Sequence, residues 1–241
     1  MQQIAVFGGT GLVGRAVCRA CVQSGVEVTS LSRSGSSSGS TAVEEAWREQ
    51  VVWGKADALD PASYRSALDS CSGVIFGIGA LLEGNYKQWM GKSSAAETQT
   101  LAAVNRDSAL SVARALAESG DGKKPFVFLS ASTVVPALSA WSPEYIETKR
   151  EAEALLQERA EEGGIRLTVL RPGLIFSEKD PLSLGAAALV QAMSPDAVEP
   201  PLHVDTVARA ALGAALDSNC SGIYDVAAIS ALARGVRTPS S

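Results

Sequence analysis

The sequence is poor in several residue types that would point to particular functions. Its 241 residues include one histidine and four cysteines, aromatic side chains make up 5%, and the formal net charge is −5. An acidic chain offers no basic surface for nucleic acid, so we expect no nucleic-acid partner. No apolar run approaches the roughly 20 residues that cross a bilayer, and no basic-then-apolar signal precedes the first predicted strand. We therefore expect neither a transmembrane segment nor a secretory signal peptide.

The cysteines do not form a recognisable metal or disulfide pattern. Cys18 and Cys21 have CxxC spacing, but they lie inside the first predicted helix, far from a second CxxC pair and without a nearby histidine. Cys71 and Cys220 are isolated in the sequence. We expect buried free thiols and no metal site. This usage fits a reducing compartment.

The most informative segment lies at the amino end. A short apolar strand, 4–7, runs into three glycines spaced three apart, Gly8, Gly11 and Gly14, and an amphipathic stretch follows. Gly8 permits a tight turn, Gly11 lets the backbone approach a pyrophosphate, and Gly14 lets the helix pack against the strand. The free N–H groups and the dipole at the start of that helix attract an anion. This context predicts a dinucleotide-binding turn, with a merely structural turn as the alternative.

Predicted strands and helices alternate along the chain. After the first strand, strands are predicted at 26–31, 50–55, 73–77, 125–130 and 165–170, and helices at 61–68, 98–118 and 143–162. This alternation predicts an α/β fold, a Rossmann-type doubly wound parallel sheet that binds ligands at the carboxyl ends of its strands. Beyond residue 173 the pattern loosens into helices at 181–193 and 205–216 and a strand at 222–226. We interpret 1–241 as a single NAD(P)-binding domain with a small C-terminal substrate lobe, formed mainly by about 174–222.

A second informative pattern is Tyr145-x-x-x-Lys149, which places both side chains on one face of a predicted helix. A phenol with its ordinary pKa of about 10 is a poor acid or base at neutral pH. A nearby ammonium lowers that pKa and makes proton transfer possible. Ser130 and Ser132 follow the preceding strand, where a hydroxyl can polarise a substrate carbonyl. The position at the ligand-binding edge favours an active site over an ordinary surface pair.

The end of the second strand bears on the choice of cofactor. A carboxylate there would bond to the ribose 2′-hydroxyl of NAD and repel the 2′-phosphate of NADP. The strand ends instead in Ser32-Arg33-Ser34, without an acid. Arg33 offers charge and a donor fork to a phosphate, and the two serines add hydroxyls. We therefore expect NADP(H) in preference to NAD(H), with a solvated Arg33 as the alternative.

Together these patterns resemble the short-chain dehydrogenase/reductase superfamily, in its extended or atypical branch, over nearly the whole chain. The resemblance implies that Asp57 contacts the adenine and that the segment 77–80 lines the nicotinamide ribose. It also implies that Pro172, in the Arg-Pro-Gly turn 171–173, meets the carboxamide. The cofactor-binding residues expected from the resemblance and from the arguments above are Gly8, Thr10, Gly11, Leu12, Val13, Gly14, Ser32, Arg33, Ser34, Asp57, Ala58, Gly77, Gly79, Ser130, Tyr145, Lys149 and Pro172.

The same resemblance assigns catalysis to Ser132, Tyr145 and Lys149. Ser132 matches the family's serine better than Ser130 does. Tyr145 would transfer the proton, Lys149 would tune it and hold the ribose, and Ser132 would orient a carbonyl or alcohol. The cofactor would carry the hydride.

Two further polar residues fall in segments similar to those of the family. His203, the only histidine, lies in 202–208, which resembles a segment that anchors the C-terminal lobe, so we expect a structural role. Asn105 lies in the long helix, where related proteins carry an asparagine that supports the active site. An ordinary solvated position is an equal alternative for Asn105.

Within this branch the sequence most resembles the ubiquinone-biosynthesis group of fungal mitochondria, kin to the dehydrogenase-like accessory subunit of respiratory complex I. The segments that carry this resemblance are 30–35, 79–87, 145–153 and 170–173. It implies a protein of the matrix side, peripheral to the inner membrane, that acts on or beside a polyprenylated quinone precursor. No mitochondrial presequence is visible, so a cytoplasmic location is the alternative.

The stretch 80–97 carries scattered large apolar side chains between polar ones. A long connection of this kind suits a lid over a hydrophobic substrate, with a surface loop as the alternative. The apolar stretch 184–193 is expected to form the opposite wall or to lie in the core.

Three functions are compatible with these features. The first is an NADP-dependent oxidoreductase, with an epimerase or dehydratase as a close variant. The second is a non-catalytic subunit that holds NADPH as a structural element in a multiprotein, quinone-related complex at the inner membrane. The third, a sensor of the NADP(H) ratio, would not need Tyr145. Fold alone does not separate them.

Overall fold

The computed structural model describes residues 2–35, 46–79, 100–120, 122–132, 143–181, 183–185, 187–188 and 199–235. The proposed lid 80–97 lies outside these residues, as does the greater part of the predicted wall 184–193.

The amino-terminal half alternates strands and helices. Its elements are β1 (Gln3–Phe7), α1 (Leu12–Gln23), β2 (Glu27–Ser32), β3 (Val51–Lys55), α2 (Arg65–Ser70), β4 (Gly73–Phe76) and α3 (Ser108–Ala117). Short 3₁₀ turns at Ala46–Gln50 and Pro61–Ser63 precede β3 and α2, and a π-helical turn at Ala103–Asp107 leads into α3.

The remaining elements complete the sheet and add helices to both of its faces. They are β5 (Lys124–Leu129), α4 (Pro143–Glu161), β6 (Ile165–Leu170), β7 (Ile175–Phe176), β8 (Leu202–His203), α5 (Val204–Leu216), β9 (Gly222–Tyr224) and α6 (Val226–Gly235). Residues 181, 183–185 and 187–188 are also helical. The sequence analysis did not predict α6 and extended β9 into its first residue.

The main sheet has seven parallel strands in the order β3-β2-β1-β4-β5-β6-β9. The strand order reverses between β1 and β4, which is the point where such sheets bind ligands. The predicted Rossmann-type doubly wound sheet is therefore confirmed. A second, two-stranded parallel sheet pairs β7 with β8. The division into one domain and a C-terminal substrate lobe stays a prediction.

Helices cover both faces of the sheet, so its central strands are buried on both sides. Ala5, Val6 and Phe7 of β1 are at most 1% exposed, and such strands read as continuous apolar runs. One core cluster unites α1, α5 and α6 with one face, and the other unites α2, α3 and α4 with the opposite face. In the described part of the chain, no helix is both long and apolar enough to cross a membrane.

Candidate active site

The glycine turn folds as its spacing predicts. Gly8 directly follows β1 and has a φ of +83°, a conformation that favours glycine. A Cβ on Gly14 would lie 2.1 Å from the Gly8 carbonyl oxygen, so only glycine lets α1 pack this closely on the turn. At Gly11, the N-cap of α1, the nearest neighbour of a Cβ would be that same oxygen, at 3.3 Å. Thr10, Leu12 and Val13 complete the turn and the start of α1.

The glycine turn leaves backbone donors available to a pyrophosphate. Gly11 has no side chain to cap the helix, and the first turn of α1 carries no acidic residue. Its backbone N–H groups and the helix dipole therefore face the carboxyl edge of the sheet without an internal anion to neutralise them. A dinucleotide phosphate has the charge and the acceptors that this arrangement requires.

The ends of β1 and β4 bring the glycine turn beside the second predicted motif. Gly77 N donates to Phe7 O at 2.9 Å, and a Cβ on Gly8 would lie 3.1 Å from the backbone of Gly77. Two residues further, a Cβ on Gly79 would lie 3.3 Å from Lys149 Nζ. The predicted pyrophosphate turn, the segment 77–79 and Lys149 therefore share one edge of the sheet.

Lys149 is buried in an unusual position for a lysine. Lys149 is only 1% exposed, and its Nζ donates to Ile78 O and Leu129 O, each at 3.0 Å. Nζ also lies 4.7 Å from the centre of the Phe128 ring. Burial lowers the pKa of this lysine to about 7, and the negative charge of Glu153 opposes that shift. The amino group of Lys149 is thus anchored to the ends of β4 and β5, and at neutral pH it is protonated in only part of the molecules.

Tyr145 lies one helical turn before Lys149, on the same face of α4. Lys149 Nζ is 6.0 Å from the centre of the phenol ring. Burial raises the pKa of Tyr145 to about 12. The lowering that we expected from the neighbouring ammonium is therefore not found in this arrangement, because desolvation of the phenol dominates.

Asn105 belongs to this group of residues. The π-helical turn Ala103–Asp107 buries it completely, and its Nδ2 donates to Thr148 Oγ1 at 3.3 Å. Its Oδ1 would lie 3.7 Å from a Cβ on Gly79. Of the two alternatives for Asn105, the solvated helix position is excluded because the residue is completely buried, and its support of the active site stays a prediction.

Ser132 has a partner that the sequence analysis missed. Its Oγ donates to Glu199 Oε2 at 2.5 Å, and its backbone N–H donates to Pro172 O at 2.7 Å. The structure thus brings together the predicted Ser132 and Pro172, and it adds Glu199 from the segment before β8. The two partners are 67 residues apart in sequence, so no local pattern indicates the contact.

Ser130 faces a different environment. Its hydroxyl donates to Glu153, a nearly fully buried carboxylate that also pairs with Arg150 and Arg171. Arg171 Nε lies 3.1 Å from both carboxylate oxygens. This network ties α4 to the ends of β5 and β6. A cofactor contact by the Ser130 side chain stays a prediction, and its hydroxyl is already engaged below the site.

The predicted adenosine end lies at the carboxyl ends of β2 and β3. Ser32 Oγ and Ser34 Oγ are 3.2 Å apart, with the exposed Arg33 between them. Asp57 Oδ1 accepts from Leu59 N at 3.0 Å, which shapes the turn after β3. Ala58 is buried, and its carbonyl accepts from the Tyr64 hydroxyl at 3.2 Å. These predicted residues share the edge occupied by the glycine turn.

His203 and the cysteines have structural surroundings. His203 is the N-cap of α5, since its Nδ1 accepts from Asp205 N at 3.2 Å, and its Nε2 lies 2.7 Å from Glu178 Oε2. All four cysteines are buried and free, and burial raises the pKa of Cys18 to about 12. Within the described ranges, no cluster of three or more potential ligands could hold a metal ion.

Comparisons with known proteins show the family to which the chain is similar. A family model described as the NAD dependent epimerase/dehydratase family matches residues 4–199. The chain is 30% identical over 210 residues to MIOREX complex component 2 of Saccharomyces cerevisiae, in an alignment that covers 74% of each protein.

Solved structures share the fold at low sequence identity. Vestitone reductase from alfalfa (Medicago sativa) has a TM-score of 0.64 and 20% identity, with coverage of 93% of this chain and 76% of the reductase. MoeE5 in complex with UDP-glucose and NAD has a TM-score of 0.65 and 18% identity, with coverage of 92% and 75%. At such identities these likenesses establish the architecture alone.

Proposed function

Because this chain belongs to the NAD-dependent epimerase/dehydratase family, the extended branch of the short-chain dehydrogenases/reductases, we propose that it is an NADP(H)-dependent oxidoreductase. The observation that carries the proposal is the continuity from Gly8 through Gly77 and Gly79 to Lys149 along one edge of the sheet. That edge offers a backbone cradle for the pyrophosphate at one end and a Tyr–Lys pair at the other.

The cofactor would supply a hydride, and the chain's own residues would place the substrate and handle the proton. Tyr145 stays protonated at neutral pH, since its pKa is raised to about 12. The phenol therefore carries the proton that a carbonyl oxygen would need in the reductive direction, and its transfer would require that bound cofactor and substrate lower this pKa. Lys149 would hold the ribose, and Ser132 would orient the substrate once its hydroxyl leaves Glu199.

For the cofactor, we propose NADP(H) over NAD(H). The end of β2 carries Ser32, Arg33 and Ser34 and lacks the carboxylate that would favour the 2′-hydroxyl of NAD. Arg33 supports this choice because a guanidinium provides both charge and paired donors for a phosphate.

For the substrate, we propose a hydrophobic, quinone-like molecule, with a role in mitochondrial ubiquinone biosynthesis peripheral to the inner membrane. The resemblance of segments 30–35, 79–87, 145–153 and 170–173 to the fungal group supports this assignment. The yeast relative is named as a component of a complex, which supports action within a multiprotein assembly.

A second function has its own supporting observations. A non-catalytic subunit that holds NADPH would need the glycine turn but not an activated phenol. The raised pKa of Tyr145 and the engagement of the Ser132 hydroxyl by Glu199 both favour it. The intact Tyr145–Lys149 pair favours the enzyme, because a purely structural subunit has little need of it.

One experiment separates the two functions. The purified protein is titrated with NADPH and NADH by calorimetry, and Tyr145→Phe is compared with the native sequence in cells by measuring the quinone pool. We expect the variant to bind NADPH normally and to lose function. Normal function in the variant would establish the non-catalytic role, and absence of heat with either coenzyme would refute both.

A matched pair of variants tests the coenzyme choice. Arg33→Ala should weaken NADPH much more than NADH, whereas Arg159→Ala, on a guanidinium at the far end of α4 that pairs with Glu162, should change neither. Equal losses for both coenzymes in Arg33→Ala would contradict the NADP(H) preference.

A further inference from the structure

A second cation stands beside the end of β2. Strands β2 and β3 pair in parallel with Ser32 opposite Lys55, and Ala56 N donates to Ser32 O at 2.9 Å. Neighbouring strands lie about 4.8 Å apart. Lys55 is exposed and is the last residue of β3. It lies beside Ser32, the residue before Arg33. The sequence analysis did not consider Lys55, because nothing local relates it to residues 32–34.

The turn after β2 is folded back onto Lys55. Gly35 has a φ of +64°. Its N–H donates to two atoms of Ser32, the carbonyl oxygen at 3.1 Å and Oγ at 3.2 Å. A Cβ on Gly35 would lie 2.7 Å from Lys55 Cβ. A side chain at position 35 would therefore be strained and would collide with Lys55. The close approach keeps the Lys55 stem against the turn that carries Arg33.

The acid closest to Lys55 in the sequence shapes a turn of its own. Asp57, two residues after Lys55, uses its Oδ1 to accept from Leu59 N at 3.0 Å, within its own turn. Among the described residues, this edge includes the cationic side chains Arg33 and Lys55 and the hydroxyls of Ser32 and Ser34, which are 3.2 Å apart. A phosphate monoester carries a charge of about −1.5 to −2 at pH 7 and three acceptor oxygens. One guanidinium would leave such a group only partly neutralised.

We propose that Lys55 is the second cation of the site that takes the adenosine 2′-phosphate, opposite Arg33. This assignment rests on the proposed NADP(H) function and deepens it. Lys55 contributes a point charge from β3, while Arg33 contributes a donor fork from the end of β2. The proposed phosphate site thus takes one cation from each of two neighbouring strands, and both cations favour NADP(H) over NAD(H).

The test uses ligands that lack the nicotinamide, so that it does not depend on catalysis. Binding of 2′,5′-ADP and of 5′-AMP to the full-length protein is measured by calorimetry at fixed low salt. Lys55→Gln should weaken 2′,5′-ADP about tenfold, the loss typical of one charge-assisted contact, and change 5′-AMP less than twofold. Lys55→Arg should retain most of the affinity for 2′,5′-ADP.

The matched control removes one lysine charge at the amino ends of the strands, away from the proposed phosphate site. Lys123 is exposed and directly precedes β5, so Lys123→Gln should leave both affinities unchanged. Circular dichroism and thermal unfolding confirm that each variant is folded.

The possible results separate this assignment from the proposed function. If the native protein does not prefer 2′,5′-ADP to 5′-AMP, the NADP(H) choice fails and Lys55 has no such role. If the native protein shows the preference but Lys55→Gln loses no more than Lys123→Gln, the coenzyme choice stands and the role of Lys55 is refuted. Equal losses for both ligands in Lys55→Gln would likewise refute it.

Discussion

The hydroxyl of Ser132 donates its hydrogen bond to the carboxylate of Glu199, at 2.5 Å. A hydroxyl has one proton, so Ser132 does not donate to a substrate carbonyl while this bond exists. A carboxylate is also a stronger acceptor than a carbonyl. The predicted role of Ser132 therefore requires that Glu199 release it, and the bond links the end of β5 to the segment before β8.

The strength of this link can be measured with a double-mutant cycle. We expect Ser132→Ala and Glu199→Ala each to destabilise the protein, and the double-mutant cycle to show a coupling of about 1–2 kcal/mol, as is usual for a hydrogen bond to a charged group. Urea unfolding of the four proteins gives the coupling free energy. Strict additivity would mean that the contact does not contribute to stability.

The buried carboxylate of Glu153 should be far more costly to remove than its neighbour on α4. Glu153→Gln removes the negative charge that Arg150 and Arg171 share, and we expect a loss of about 3 kcal/mol. Glu151 pairs with Arg106 at the surface, with 44% of its side chain exposed, so Glu151→Gln should cost about 1 kcal/mol or less. Chemical unfolding compares the two, and similar losses would show that the Glu153 network is not a stabilising centre.

Alanine substitutions of two glycines in the first turn should have different effects on stability and on cofactor binding. A Cβ at Gly14 meets backbone at 2.1 Å, so Gly14→Ala should destabilise the fold by about 2–3 kcal/mol. A Cβ at Gly11 has its nearest neighbour at 3.3 Å, so Gly11→Ala should cost at most about 1 kcal/mol, as expected for an N-cap change. Gly11→Ala should nevertheless weaken NADPH at least tenfold, because its methyl group would stand where the pyrophosphate approaches.

Unfolding and calorimetric titration of both variants check this distinction. Normal NADPH affinity in a folded Gly11→Ala protein would contradict the position assigned to the pyrophosphate.

The elements that the sequence predicted correctly share a local origin. The spacing of Gly8, Gly11 and Gly14 and the four-residue interval from Tyr145 to Lys149 are set by the turn and by the helical repeat, and both can be read without knowing the tertiary structure. The alternation of strands and helices likewise determines the parallel sheet, because each crossover helix must cover one of its faces.

The features that were missed arise from tertiary contacts or from weak local signals. Glu199 reaches Ser132 across 67 residues, and Lys55 reaches the β2 turn only through strand pairing. The helix α6 was not predicted, and the local signal at its start is a single residue: Asp225 Oδ1 accepts from Ala228 N at 2.8 Å, as an N-cap side chain does. The pKa of Tyr145 also depends on burial, which the Tyr–Lys spacing does not determine.

Lys149 should make the stability of the protein depend on pH. Its folded pKa, about 7, lies below its ordinary value of 10.5, so between these values the unfolded chain binds more protons. Stability should therefore rise with pH above about 7, by up to roughly 1.4 kcal/mol per pH unit from this group, while below pH 7 the contribution is constant. Unfolding between pH 6.5 and 8.5 should show this rise in the native protein and a flatter profile in Lys149→Met.

The same lysine should take up protons when a dinucleotide binds. Near pH 7.5 much of the free protein carries a neutral Lys149, whereas an anionic ligand at the neighbouring edge favours the ammonium. Affinity for NADPH should therefore fall as the pH rises from 7 to 9. Calorimetry in two buffers of different ionisation enthalpy measures the uptake, which should approach one half to one proton near pH 8 and vanish in Lys149→Met. Binding without proton uptake in the native protein would place the bound cofactor out of electrostatic reach of Lys149.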